Sequence, residues 1–499
     1  MHFRNMQQAT PLRVALMTAV FGLCSAPALA GDASSAMQED RIARVESGLS
    51  TPVVIRGAGG GKMDLRARMA FHKVPAVSIA LIENGRVEWA RAYGVVNADG
   101  ETPRTATVDT LFQAASVSKP VSALGAMQLV QQGTLSLDAP ANDQLNAWKI
   151  PDNALTRATQ PTLRMLLNHS AGTTVHGYFG YPQGQALPSL LQMLDGTPPA
   201  DSDPVRVDVR PGTLWRYSGG GFSVVQLMVT EASGQSFGQY MQRAVLGPLG
   251  MTHSTFDVDL SPPQRALAAT GFSTEGQPVA GGWRRYPESA AAGLWTTPTD
   301  LAQVVLEVQR AADGAPGKVL THDSAQQMVT RGLGEYGLGL YVEDLGGRTS
   351  FAHSGGTNGF RAQIYGYTHS GQGVAILTNS DNGAALISEI LASISAEYDW
   401  PEFKVTEKVA IAGDAANNQQ IAGTYRLMDT PVVISAEGER LYLQSDLFGA
   451  ARMELHAQSA TAFFTTDQDM VLNVTRNAES KVTGVSLDRG ANVYHAARR

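Results

Sequence analysis

Cysteine is almost missing: Cys24 is the only one in 499 residues. It falls in an N-terminal apolar stretch, so the chain beyond it has no disulfide, no thiolate nucleophile and no cysteine metal ligand. Charge is also sparse. Asp, Glu, Lys and Arg make up 17% of the residues, the formal net charge is -7, and no run of like charge occurs. That excludes a basic arm for nucleic acid and an acidic tail. The ten histidines form no HExxH or comparable spacing, so neither a metal nor another cofactor is expected. Beyond the N-terminus no apolar run approaches the ~20 residues of a membrane span, so no stable membrane insertion is expected. Internal repeats and low-complexity tracts are absent. Apolar side chains are plentiful: hydrophobic residues are 43% of the chain, enough to bury the cores of two or three domains.

Residues 1–30 have the pattern of a secretory leader. Arg4 and Arg13 carry its only charges, Val14 to Ala26 is apolar, and Ala28-Leu29-Ala30 is a small-x-small cleavage site before Gly31. The apolar core is too short to span a membrane. Leu23 precedes Cys24 where a lipid-modified leader wants a small residue. The expected address of the mature chain is a bacterial periplasm or the exterior.

Val77–Ile82 and Arg86–Tyr93 read as strands joined by Glu83-Asn84-Gly85, a strong hairpin signal. Helical patterns start at Ser116 and recur over 163–167, 223–232, 237–246 and 300–311. Residues 360–367 and 373–378 read as strands, and 384–398 as a closing helix. Strands first, helices in the middle and strands again predict an α+β domain whose sheet is assembled from both ends. After Pro401 the texture changes. Residues 432–435, 440–444, 462–465, 470–475 and 482–487 are short strands with polar turns. The expected division is a leader over 1–30, a main domain over 31–404 and a small antiparallel β domain over 405–499.

Three stretches carry chemistry. In Ser116-Val117-Ser118-Lys119, serine and lysine lie three residues apart and share a helix face. A serine hydroxyl becomes a nucleophile when a neighbouring base takes its proton, and burial makes a lysine neutral enough to do so. The helix start offers backbone N–H groups to a developing oxyanion. The second stretch is Trp215-Arg216-Tyr217-Ser218-Gly219-Gly220-Gly221, where the Tyr217 phenol is placed to relay a proton beside Lys119. The third runs from Phe351 to Phe360 and contains His353-Ser354-Gly355-Gly356; its glycines let backbone approach a ligand closely. Alone, each has an ordinary explanation: a capped helix, a tyrosine beside a loop, a glycine-rich hairpin.

Together, and in this order, the three resemble the serine β-lactamase and penicillin-binding-protein superfamily, above all its class C β-lactamase-like branch. That branch holds β-lactamases, D-stereospecific peptidases, esterases and penicillin-binding proteins. Val74-Pro75-Ala76-Val77-Ser78, Leu166-Leu167-Asn168-His169-Ser170-Ala171-Gly172, Pro248-Leu249-Gly250-Met251-Thr252 and Gly293-Leu294-Trp295 through Leu301 agree with it. The likeness covers residues 65–400 or so and implies a β-lactamase/transpeptidase-like fold. It implies Ser116 as the acylated nucleophile, Lys119 as its proton partner and Tyr217 as the second proton-transfer group. His353, Ser354, Gly355, Gly356 and Gly219 would then face the substrate, with the N–H groups of Ser116 and Gly356 as oxyanion donors.

Two residues depart from the pattern. Gly219 stands where the tyrosine motif usually ends in asparagine, which removes an amide donor. His353 stands where efficient β-lactamases carry lysine, which looks more like the peptidase and esterase members. Read as a carboxylate-binding group, His353 would have to be protonated. Gly234-Gln235-Ser236-Phe237-Gly238 matches the G-x-S-x-G pattern but lacks a preceding strand. Ser380-Asp381-Asn382 comes after His353 and reads as a turn. His169 reads as a structural hydrogen-bonder, and His72 as a surface or packing residue.

The expected protein is an exported serine hydrolase that attacks an ester, peptide or lactam carbonyl. Its expected partner is a small-molecule or peptide substrate, with β-lactams and cell-wall peptides among the candidates, and no nucleic acid. A true β-lactamase, a D-Ala-D-Ala peptidase and a non-catalytic exported binding protein on the same fold are the alternatives. Within Thr173–Pro211, Tyr178, Phe179 and Tyr181 suggest an apolar pocket or simply core.

Overall fold

The computed structural model describes residues 28–58, 61–97, 102–344, 346–427, 430–445, 452–489 and 492–498. The leader's Arg4, Arg13 and Cys24 lie outside the described residues. The chain divides into a short unit, Met1–Ala43, and a main unit, Arg44–Arg499. Of the first unit the structure describes part of a helix, Ala28–Glu46, which runs through the expected cleavage site.

The main unit is built on a six-stranded antiparallel sheet. Its strands are β1 (Ala76–Glu83), β2 (Arg86–Gly94), β3 (Tyr341–Asp344), β4 (Thr349–Thr357), β5 (Phe360–Tyr367) and β6 (Gly373–Thr378). They lie in the order β2-β1-β6-β5-β4-β3. The N-terminal hairpin therefore joins the four C-terminal strands through β1 and β6, as the sequence pattern predicts. Asn84 and Gly85 both have positive φ, +53° and +70°, the backbone that their turn demands. β1 is buried on both faces over seven of its eight residues, which explains why it reads as an unbroken apolar run.

Four helices matter most for the site: α1 (Ser118–Gln131), α2 (Gly219–Ser233), α3 (Pro298–Ala312) and α4 (Gly383–Tyr398). The two faces of the sheet are covered by different helices. Gly366 and Gly373 lie against Val305 of α3 on one face, the face that Gly355 shares by strand alternation. Ser354 and Gln363 lie with Ile387 and Leu391 of α4 on the other. α3 has a capping Thr297 whose hydroxyl accepts from Asp300 N, with Pro298 at its first position. Its buried Glu307 accepts backbone N–H groups of Lys318, Val319 and Leu320 at 2.7–3.0 Å.

The sequence-predicted helix from Ser116 is divided in two. Ala115–Val117 is a 3-10 turn and the α-helix proper begins at Ser118. The 237–246 pattern is likewise an α-turn to Met241 followed by a π-turn to Leu246. His72 is more than a packing residue: its Nε2 lies 2.9 Å from Glu389 Oε1, which also pairs with Arg68 at 2.5 Å.

The C-terminal strands close into an eight-stranded antiparallel barrel, from Gly423–Leu427 to Asn492–Arg498. Closure is through Tyr425 against Arg498 and Arg426 against Ala497. Three of its strands, 423–427, 453–457 and 492–498, escaped the sequence pattern. The first two are five residues long and each is interrupted by a charged side chain, Arg426 and Glu454. Before the barrel, Thr406–Lys408 runs parallel to Val53–Ile55.

Candidate active site

Every residue from Leu111 to Met127 is buried except Ser116. The residue before it, Ala115, is fully buried with φ +50°, a conformation that costs a side-chain-bearing residue about 1 kcal/mol or more. Two contacts hold this turn. Ser118 Oγ donates to Ala115 O at 2.6 Å and accepts from Leu294 N at 3.0 Å. Gly355 of β4 presses on it so closely that a Cβ there would meet Ala114 O at 2.3 Å and Ser116 N at 3.1 Å. The glycine of the third motif is thus required by the approach of a strand to the nucleophile turn.

Lys119 is 2% exposed. Its Nζ donates to Ser116 Oγ at 3.0 Å and to Ala291 O at 2.8 Å. No carboxylate offsets its desolvation, and burial lowers its pKa to about 7. The Tyr217 ring lies 4.8 Å from Nζ. Tyr217 is pushed above the ordinary phenol range by burial, against the pull of a hydrogen bond with Ser116. Lysine and the serine hydroxyl are thus hydrogen-bonded, and the tyrosine ring lies over the lysine.

Tyr217 is held by the turn that leads into α2. Ser218 caps the helix by accepting from Gly221 N at 3.0 Å and donates to Thr174 O at 2.7 Å. Gly219 N and Gly220 N donate to His176 O and Val175 O, both at 3.0 Å. Ser218 N donates to His169 Nδ1 at 3.1 Å, so the neutral His169 carries its proton on Nε2. Burial first, then Lys119, His353 and His176, holds His169 well below its ordinary range. It has φ +61° and its ring centroid is 4.3 Å from that of Tyr217. The structural reading of His169 matches this placement.

The role left open for His353 is narrowed by its surroundings. It is 1% exposed. Its Nδ1 lies 2.6 Å from Ser354 O, which can only accept, so Nδ1 carries the proton. Nε2 lies 2.9 Å from the Tyr336 hydroxyl, which therefore donates to it. Burial, and then Lys119, lowers the pKa to about 3. Neither nitrogen is left for a carboxylate, and the ring is neutral at any working pH.

Ser354 and Gly219 also depart from their expected places. Ser354 lies on the opposite face of β4 from Gly355 and lines a cavity of about 240 Å³ with Tyr341, Glu343 and Gln363. The Gly219 amide is spent on His176 O. Gly355 lies against the nucleophile turn, and Gly356 follows it on β4 with its other face toward Arg361. β3 pairs with β4 only as far as Ala352, so the edge from His353 to Thr357 is open to an added strand or ligand.

Sequence reasoning missed Tyr336 and His176, and named Tyr178 only as an aromatic of pocket or core. His176 lies 5.2 Å, ring to ring, from Tyr217. Tyr336 had no motif to announce it. The loop from Thr173 offered only its aromatics. The decoys have structural roles: Ser236 caps the helix at Phe237, and Asp381 pairs with Arg361 at 2.9 Å while accepting from Gly359 N. Among the described residues no cluster of three metal-ligating side chains occurs, and no helix is long and apolar enough to cross a membrane.

Comparison with known proteins gives this arrangement its family. The family model described as Beta-lactamase matches residues 64–392. The chain is 27% identical over 350 residues to penicillin-binding protein 4 of Amycolatopsis lactamdurans, covering 65% of this chain and 86% of that protein. It is 32% identical over 194 residues to esterase EstB of Burkholderia gladioli, covering 37% and 47% respectively. In fold it is similar to the D-amino acid amidase of Ochrobactrum anthropi SV3, with TM-score 0.55 and 20% identity over 72% of this chain and 99% of that one. With its serine-x-x-lysine turn, its tyrosine and its glycine-bearing strand on one sheet-and-helix scaffold, the chain belongs to the beta-lactamase family and is a serine hydrolase.

Proposed function

We propose that the protein hydrolyses an ester or amide carbonyl through an acyl-enzyme on Ser116. The observation that carries this reading is the 3.0 Å contact between Ser116 Oγ and a buried lysine that is half neutral near pH 7. Neutral Lys119 takes the hydroxyl proton as Oγ attacks the carbonyl carbon. The backbone N–H groups of Ser116 and Gly356 are suited to hold the oxyanion, one at the turn and one at the open edge of β4. Tyr217, its ring 4.8 Å from Lys119 Nζ, passes a proton to the departing alcohol or amine. Water then attacks the acyl ester, giving its proton to the Tyr217 phenolate, and Lys119 returns its proton to Oγ as the acid leaves.

A neutral, fully engaged His353 favours substrates that need no cation to bind a carboxylate. Esters and D-amino-acid amides fit that better than β-lactams, in keeping with the esterase and amidase among the similar proteins. We also propose that the leader directs export. On this reading, residues 31–404 carry the chemistry and 405–499 contribute no catalytic group. Labelling with a fluorophosphonate, followed by peptide mass spectrometry, tests the core of this reading. The adduct is expected on the peptide containing Ser116 and absent from Ser116→Ala. An adduct on Ser236, or none, would overturn it.

A further inference from the structure

Gly219 and Ser223 lie one turn apart on α2, and between them the helix leaves a groove. The ring of Tyr178 fills it. A Cβ on Gly219 would meet Tyr178 Cε2 at 3.1 Å and Cδ2 at 3.4 Å. At the other end of the ring, the Tyr178 hydroxyl is 2.7 Å from Ser223 Oγ. Burial raises this phenol above its ordinary range, so it stays neutral. The ring therefore stands in the space that a side chain at position 219 would occupy, two residues from Tyr217.

The backbone that carries Tyr178 is fixed. Residues 174–176 are bound to 218–220 by three hydrogen bonds of 2.7–3.0 Å. On the far side the Tyr286 hydroxyl donates to Phe179 O at 3.2 Å and accepts from Asn358 N at 3.3 Å. Gly180, at φ +70°, lies against the Tyr286 ring, where a Cβ would come within 2.5 Å. Tyr286 thus ties the loop to the turn after β4. Glu288, fully buried, has its pKa raised to about 8 by desolvation.

We propose that Tyr178 is a specificity-determining residue, forming an aromatic wall against Gly219 at the Tyr217 turn that selects substrates with an apolar, unsubstituted acyl chain over those bearing an acylamino group. The proposal rests on the acyl-enzyme reading above and names the substrate class for it. An acylamino group brings a carbonyl and an N–H that need hydrogen-bond partners when desolvated. The wall offers carbon, its one hydroxyl is committed to Ser223, and the Gly219 amide is committed to His176. A methylene chain, by contrast, gains from burial against the ring.

The test compares p-nitrophenyl butyrate with p-nitrophenyl acetate and adds a fluorescent penicillin as the acylamino probe. The two extra methylenes of butyrate are worth about ten-fold in kcat/KM against a buried wall. Tyr178→Ala is expected to erase that preference for butyrate, and Tyr178→Phe, which keeps the ring, to retain it. Gly219→Asn in the Tyr178→Ala background is expected to raise the rate of penicillin labelling about ten-fold over the parent. Gly219→Asn alone is expected to raise it less, because the ring occupies the space. A butyrate preference unchanged in Tyr178→Ala would overturn the proposal. So would a folded double variant with no gain in penicillin labelling, or a single Gly219→Asn that gains as much as the double. Failure of the parent to take a fluorophosphonate on Ser116 would overturn the acyl-enzyme reading, and this proposal with it.

Discussion

The barrel and the catalytic face obey opposite rules. In the barrel, side chains alternate as a half-buried strand requires: 440–444 and 471–476 bury every second residue. Its interior is Leu441, Leu443, Leu455, Phe463, Leu472 and Leu487, and the buried Tyr425 hydroxyl donates to Ile421 O. Around Ser116 the interior holds a lysine, two histidines, a tyrosine at position 336 and a glutamic acid, all at most 2% exposed. Ala115 and His169 there have left-handed backbone. Burying such groups costs free energy unless their partners repay it. The barrel is arranged for stability, whereas the catalytic face gives up stability to hold Lys119 neutral beside Ser116.

The largest effect is expected at the lysine. Lys119→Met should lower ester turnover about 100- to 10,000-fold, the range for loss of a general base. Yet it should raise the melting temperature at pH 6. The sign follows from linkage: the folded-state pKa of Lys119 lies below the unfolded one, so the unfolded state binds more protons between about 7 and 10.5. Stability rises with pH through that window, and below it the lysine is a burden that methionine lacks. A lower melting temperature would show that the amine stabilises the fold.

The barrel should respond in the reverse sense. Leu443→Ala, at a fully buried position, is expected to cost about 2–5 kcal/mol in denaturant unfolding. Ester turnover measured below the transition should stay within about two-fold, since distant sites act independently. Loss of turnover in a folded Leu443→Ala variant would mean that the barrel takes part in the chemistry. The smallest effect on rate is expected at Ser236. Ser236→Ala removes a helix cap, at a cost of about 0.5–2 kcal/mol, and leaves turnover unchanged.

The same contrast governs what was legible in the sequence. The sheet was readable because its strands alternate or run apolar between turn residues, and the helical middle was readable by its period. Three barrel strands were not, because short stretches such as Met453-Glu454-Leu455-His456-Ala457 carry too few apolar residues to stand out. Ser116, Lys119 and Tyr217 were legible through their order and spacing, and the structure brings them together around the lysine amine. The part played by His353 was not legible, since its tautomer depends on Tyr336 and Ser354 O, a pairing set by tertiary structure. Tyr178 was noticed as an aromatic, but its place against Gly219 depends on a loop whose path no local pattern shows.

The central claim is that Ser116 is activated by a lysine that loses its proton near neutrality, and the pH dependence of Ser116 labelling by a fluorophosphonate tests it most directly. The groups facing Lys119 are His169, His176 and His353, all shifted below their ordinary range, and Tyr217, shifted above it. The three histidines therefore titrate below their ordinary value and the phenol above its own. The second-order rate constant should therefore rise with pH along a single limb centred at about 7, the pKa of Lys119, and level off above it. A flat profile from pH 5.5 to 9, or a limb near the ordinary lysine value of 10.5, would contradict it.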